Sequence, residues 1–327
     1  MNSHPQKTRY RIFDVCIDSE LPLPGLSSCD GVSPDWTIIC PQGTLDDSGY
    51  QWFHSWKSDD GQELMSTARL GDDYLLRIFD LAVFRILFAE HRIEVYALEE
   101  CPPSTMAHLL LDQVLPRAIC HEGRPVIHAS AVQLDDGRVI AFTGPSGRGK
   151  STLATAFHRA GHRVLADDCL LLELRGEKVC AYSAYPSLRL WSDSYSALAE
   201  DSGIEQGQLS EMAHYTSKKQ LLFIADGQNT EAETVVLSAL LLLEEPLENS
   251  QQEIVKIWPA TGHAAMMALI EASFVLDVVS HEAVSRNFEM VGAVAQYVPV
   301  ARIAYQRDFN KLNYLLDMIT RFRFGLT

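Results

Sequence analysis

A lysine, three hydroxyl residues and three glycines stand together in Gly144-Pro145-Ser146-Gly147-Arg148-Gly149-Lys150-Ser151-Thr152. Residues 144 to 151 fit G-x-x-x-x-G-K-[ST] in full, the pattern of a phosphate-binding P-loop. Glycines let the backbone curl until successive N–H groups point inward at phosphate oxygens. A helix starting at the loop adds its dipole and its unpaired N–H groups. In that arrangement Lys150 reaches the β- and γ-phosphates of a nucleoside triphosphate, and the Ser151 hydroxyl lies on Mg²⁺. Two carboxylates, Asp167 and Asp168, follow, the second of them eighteen residues past Lys150. Carboxylates at the end of a strand beside a P-loop can hold the metal, directly or through water. Two in a row allow one to balance the metal while the other accepts a proton from an attacking hydroxyl. The bland reading of the pair is a charged turn. His128 is a third candidate, though a lone histidine between Ile127 and Ala129 is more often a core residue.

The neighbouring sequence supplies elements to position these groups. Residues 139–143 are an apolar run that reads as a buried strand, and the stretch after Lys150 reads as a helix with Gly161 as its C-cap. Residues 125–134 form a strand joined to 139–143 by Asp135-Asp136-Gly137-Arg138, a hairpin turn. The strand entering the loop is therefore antiparallel to its predecessor, and the sheet is expected to be mixed. Residues 162–168 read as a short strand ending in the carboxylate pair, and 170–174 with 179–182 as a further hairpin. Strands are expected at 235–243, 254–258 and 300–305, and helices at 261–275, 282–296 and from Asp308 to about Arg321. The segment 185–191 reads as a loop, and the polar stretch 192–217 as partly helical.

Upstream, residues 9 to about 100 read as mostly β, with strands at 10–17, 35–40, 67–70, 74–79, 84–88 and 93–98 in a meander. Cys101-Pro102-Pro103 marks a boundary between an N-terminal mostly-β domain (1–103), for scaffold or peptide recognition, and a catalytic domain (104–327). A helix is expected over 105–120, capped by Ser104.

The chain has 327 residues, 47% of them apolar, and a formal net charge of −16. That balance disfavours nucleic acid and anionic membrane as partners, since both need a basic surface. Seven cysteines occur without a C-x-x-C spacing, so neither a zinc knuckle nor a redox pair is signalled. The odd count and the absence of an apolar leader fit a cytoplasmic protein. Lys218-Lys219 reads as a solvated basic pair, Arg148 as facing solvent or substrate, and Trp52, Trp56, Trp191 and Trp258 as core or interface residues.

The set formed by His128, the loop 144–152, Arg159-Ala160-Gly161-His162-Arg163 and Ala166-Asp167-Asp168 resembles the catalytic domain of bacterial HPr serine kinases. The resemblance implies an α/β fold, a mixed-sheet P-loop kinase domain of the HPr kinase/phosphoenolpyruvate carboxykinase type. It implies ATP and Mg²⁺ as cofactors, Asp168 as general base, Lys150 on the phosphates, Ser151 on the metal, and His128 and Asp167 in support of metal and charge. The chain departs from the bifunctional members of that family in three ways. Thr152 stands where they carry Glu, their Glu-x-Arg-Gly-x-Gly-Ile segment is absent, and Ser187-Leu188-Arg189-Leu190-Trp191 stands roughly in its place. Arg189 then becomes the candidate transition-state arginine and Asp193 the substitute acidic ligand, and phosphorylase activity is not expected.

The opening Tyr10-Arg11-Ile12-Phe13, the run Leu21-Pro22-Leu23-Pro24-Gly25-Leu26 and the closing Tyr305-Gln306-Arg307-Asp308-Phe309-Asn310-Lys311-Leu312 look like the HPr-kinase-like proteins found with lasso-peptide gene clusters. That resemblance implies phosphorylation of a precursor peptide at its C-terminal serine, and a homo-oligomer is compatible with it. The alternatives are a kinase of HPr or of a small hydroxyl compound, and a non-enzymatic regulator whose P-loop senses ATP.

Overall fold

The computed structural model describes residues 7–29, 31–58, 60–98, 101–184, 187–190, 209–211, 219–222, 234–248 and 253–324, with backbone alone for the three short segments between 187 and 222. It is a mixed α/β protein with two large mixed sheets. The first holds β1 (Thr8–Ile12), β2 (Val15–Ser19), β3 (Ser27–Ser28), β4 (Trp36–Ile39), β5 (Gln51–Lys57), β6 (Glu63–Leu70), β7 (Asp73–Ile78), β8 (Ala82–Leu87) and β9 (Arg92–Ala97), in the order β3-β1-β2-β4-β9-β8-β7-β6-β5. Consecutive antiparallel pairing from β5 to β9 is the expected meander. The single strand expected over 10–17 is instead a hairpin, because Phe13 takes a left-handed φ of 56° and turns the chain. β5 escapes a reading by alternation because none of its side chains is fully buried. Its Trp52 is exposed, with the Arg77 guanidinium 4.6 Å from the ring centroid. Cys16 and Cys29 form a disulfide that the scattered spacing did not signal, whereas Cys101, Cys120, Cys169 and Cys180 are buried and outside any disulfide.

The helix expected over 105–120 is divided into α1 (Pro103–Leu109), a π turn (Leu110–Val114) and α2 (Leu115–His121). Pro116 gives a reason: it has no N–H for the carbonyl of Asp112, and its ring crowds that carbonyl in a regular helix. The Cys169 thiol makes a 3.7 Å contact to this same carbonyl, so the widened turn lies against the residue that follows Asp168.

The central sheet collects β10 (Val126–Ile127), β11 (Ala129–Gln133), β12 (Val139–Thr143), β13 (Arg163–Ala166), β14 (Leu170–Arg175) and β15 (Lys178–Tyr182). A separate three-stranded sheet follows from β16 (Ser187–Leu190), β17 (Leu209–Glu211) and β18 (Lys219–Leu222). Segment 185–191 was expected as a loop, but its residues 187–190 are a strand; a proline immediately ahead of a strand is tolerated. Within 192–217 the described residues 209–211 are strand; Asp193 and Lys218 lie outside the described residues. The central sheet is completed by β19 (Thr234–Leu243), β20 (Val255–Pro259) and β21 (Val300–Tyr305). β12 runs antiparallel to β11 and parallel to β19, which runs parallel to β21.

Helices cover both faces, which is why β12 and β19 are apolar almost throughout. Ile140, Phe142, Leu241 and Leu243 pack with α3 (Lys150–Arg159) and, late in the chain, the helix Leu312–Arg321. The alternate residues Val139, Ala141, Leu240 and Leu242 pack with α4 (Gly262–Ala272) and α5 (His281–Tyr297). The helix Leu312–Arg321 is α6; Asp308 caps the short 3₁₀ turn before it rather than α6 itself. None of the described helices is long and apolar enough to cross a membrane.

One core joins the first sheet to the rest: Leu76 and Phe84 share a cluster with Leu115, Leu171 and Phe274. Arg117 is buried in this seam, its guanidinium 5.6 Å from the Trp56 ring and 5.2 Å from the Phe274 ring, and burial pulls its pKa down to about 10. Asp277 closes the same seam. It accepts from Arg69 at 2.8 Å, from the Tyr74 hydroxyl at 3.0 Å and from the N–H groups of Val279 and Ser280 at 3.0 and 2.8 Å. Burial alone would raise its pKa, but these donors hold the carboxyl below the ordinary range.

Candidate active site

The loop leaves β12 at Thr143 and enters α3 at Lys150. Two of its glycines are required by what lies against them. A Cβ on Gly144 (φ 144°) would come within 2.9 Å of the Leu243 carbonyl, and one on Gly149 (φ 102°) within 2.3 Å of the Tyr305 hydroxyl. Gly149 is also the N-cap of α3 and provides no side-chain cap, so the first N–H groups of the helix remain available to an anion. Lys150, only 6% exposed, reaches back across the loop to the carbonyls of Gly144 at 2.8 Å and Pro145 at 3.2 Å. Thr152 is half-buried on the first turn of α3.

Ser151, beside Lys150, donates its hydroxyl to Asp167 Oδ1 at 2.9 Å, and Ser130 of β11 donates to the same oxygen at 2.5 Å. Asp167 is 2% exposed, so β11, β13 and α3 meet on one buried carboxylate. The next residue turns away from it. Asp168 has φ 68°, and the Cys169 N–H bonds to the Asp167 carbonyl at 3.0 Å across it. This is a left-handed γ-turn, a conformation that costs roughly 1–3 kcal/mol and collects at functional sites.

His128 was expected on the strand paired with β12, but it stands one residue ahead of that strand, at a kink between β10 and β11. There its N–H bonds to the Ala272 carbonyl at 2.7 Å, its carbonyl accepts from Thr143 Oγ1 at 2.9 Å, and Phe274 meets its ring edge-on. Its Nδ1 lies 2.8 Å from the Asp168 carbonyl and 3.9 Å from the Asp168 carboxylate. The imidazole thus donates through Nδ1 to a backbone oxygen and keeps Nε2 as its second polar atom.

The outer side of the loop is held by late sequence. Tyr305 donates its hydroxyl to the Arg148 carbonyl at 3.2 Å, and Arg307 donates to the Gly147 carbonyl at 2.6 Å. Burial pushes the Tyr305 phenol up to about 12, so it remains a donor at neutral pH. Arg148, expected to face solvent or substrate, is ion-paired with Glu245.

The residues brought together are therefore Gly144 to Thr152, Asp167, Asp168 and His128. Arg189 lies on β16, where the backbone alone is described. Ser130, Tyr305 and Arg307 escaped the sequence reading; for the last two a signal existed in the closing Tyr305-Gln306-Arg307 segment. Around Ser151 the polar groups are the Asp167 carboxylate and the Ser130 hydroxyl, oxygen atoms of the kind a hard divalent cation takes. Among the described residues no group of three or more His, Cys, Asp or Glu side chains is arranged to hold a metal.

Neither a family model nor a curated protein matches the chain. Among solved structures it is similar to the Hpr(Ser) kinase/phosphatase from Coxiella burnetii, at 13% identity over 60% of this chain and 93% of that chain, with a TM-score of 0.30.

Proposed function

We propose that the protein is an ATP- and Mg²⁺-dependent kinase that phosphorylates a serine hydroxyl of a peptide. The observation that carries this reading is the 2.9 Å contact between Ser151 and Asp167. It puts Asp167 against the glycine-rich loop, which supports this reading. A chance glycine loop or a charged turn has no reason to place its hydroxyl and carboxylate on each other.

In the proposed reaction the serine oxygen attacks the γ-phosphorus and forms the new P–O bond. The bond from that phosphorus to the β,γ-bridging oxygen breaks, ADP leaves with the electron pair, and the serine proton passes to Asp168. Lys150 and the loop N–H groups offset the negative charge spread over the transferred group. Ser151 and Asp167 would hold Mg²⁺, with Asp168 beside them, and the bound ion would neutralise phosphate charge. His128 holds the Asp168 turn through its carbonyl.

The first acceptor to test is the C-terminal serine of a lasso-peptide precursor, on the resemblance carried by Leu21 to Leu26 and Tyr305 to Leu312. Such a peptide, HPr and free serine, each incubated with the full chain, ATP and Mg²⁺, separate the acceptor classes. Phosphate appearing on the peptide serine by mass spectrometry is the expected result. ATP bound with no phosphate moved to any of the three would overturn the kinase reading in favour of a nucleotide sensor.

A further inference from the structure

A cavity of about 610 Å³ opens beside the loop. One wall is Gly144, Pro145 and Ser146, with His128 at one end. The opposite wall is α4, which presents His263, Met267 and Glu271, spaced four apart and so on one face of the helix. Lys150 lies on the Gly144 and Pro145 carbonyls, and a P-loop lysine reaches the β- and γ-phosphates. The loop residues that Lys150 touches thus line this cavity, and His128 joins it to the Asp168 turn at 2.8 Å, so on the kinase reading an incoming alcohol would enter from this side. At this volume the cavity suits a small molecule or a few residues of extended peptide.

Its charges are unevenly satisfied. Arg302 and Glu244 neutralise each other at 2.9 Å. Glu271 has no ion-pair partner among the described residues. It also stands in the last turn of α4, whose C-terminal carbonyls already carry negative charge and favour cations. A carboxylate there works against its own helix until a cation meets it. Met267, 41% exposed, supplies an apolar surface beside it.

Resting on the kinase reading, we infer that this cavity is the acceptor pocket and that Glu271 selects a serine flanked by a positively charged residue. The test uses the full chain and two serine hexapeptides identical except for Lys or Glu beside the serine. The Lys peptide should be phosphorylated with a kcat/KM about tenfold higher, and Glu271→Lys should reverse that preference. Met267→Trp, at an exposed position that tolerates bulk, should raise KM for both peptides while ATP affinity is unchanged and the melting temperature holds. Equal use of both peptides by the parent and by Glu271→Lys would overturn the inference. So would a Met267→Trp variant that loses ATP instead of peptide, since the cavity would then hold the nucleoside. Binding of the same peptides with Ala for Ser, read by fluorescence anisotropy in the presence of ADP, separates the two proposals. A Lys preference in binding without phosphate transfer would sink the kinase reading and keep the pocket; transfer without any charge preference would do the reverse.

Discussion

The two large sheets differ most in what their strand ends do. In the first sheet, successive antiparallel strands from β5 to β9 end in tight reversals, and the chain closes over each end. One polar cluster pairs within the sheet, where Glu94 takes Arg92, Arg85 and the Tyr96 hydroxyl. In the central sheet β12, β19 and β21 run parallel, so their C-terminal ends, Thr143, Leu243 and Tyr305, emerge side by side. Loops that diverge from neighbouring parallel strands leave a crevice, the place where open α/β sheets take ligands. Strand direction thus distinguishes the β5–β9 meander from the β12-β19-β21 run beside the glycine-rich loop, although β2, β4 and β9 of the first sheet also run parallel.

Changes in the two regions should fail differently. Asp168→Asn should lower phosphate transfer by about 10²–10⁴-fold, the usual worth of a positioned base, with nucleotide binding kept, as read by radiolabelled ATP and by calorimetry. Lys150→Ala should cost about 10²–10³-fold in transfer; turnover near the parent's would detach the loop from the chemistry. Gly149→Ala should destabilise by roughly 1–3 kcal/mol, through the left-handed φ and the collision with Tyr305. Pairing it with Tyr305→Phe should restore part of the loss in thermal melts, because the hydroxyl in the way is gone.

At the seam the loss should be of stability alone. Asp277→Ala strands the Tyr74 and backbone donors and should cost about 1–3 kcal/mol, while kcat of the remaining folded protein is unchanged. The pH dependence has a definite sign. The Asp277 carboxyl is depressed in the folded state, so its contribution is complete above the ordinary carboxylate range and fades as pH falls through the folded value. Asp277→Asn should therefore flatten the acid limb of the unfolding curve, and an unchanged limb would count against the network. The smallest effect is expected from Glu245→Ala, which frees Arg148 at the surface. It should leave the melting temperature where it is, and any change should show only in nucleotide affinity.

The strand–loop–helix setting of residues 139–159, the Asp135–Arg138 hairpin and the late strand at 300–305 were legible in the sequence. Each is a local pattern: a fixed spacing, an apolar run, a turn dipeptide. The π turn was not legible because Pro116 says only that a regular helix is obstructed, not how the chain absorbs it. β16 was missed because Pro186 reads as a breaker when its neighbouring strands are unknown.

By itself the sequence determined which residues make up the glycine-rich loop and the carboxylate pair, since a loop of that spacing carries its own backbone geometry. Only the tertiary structure decided what they face. His128 meets Asp168 across forty residues, and Tyr305 meets Arg148 across 157. Such meetings depend on strand order and on which side chains fill both faces of the central sheet, and no local pattern encodes either.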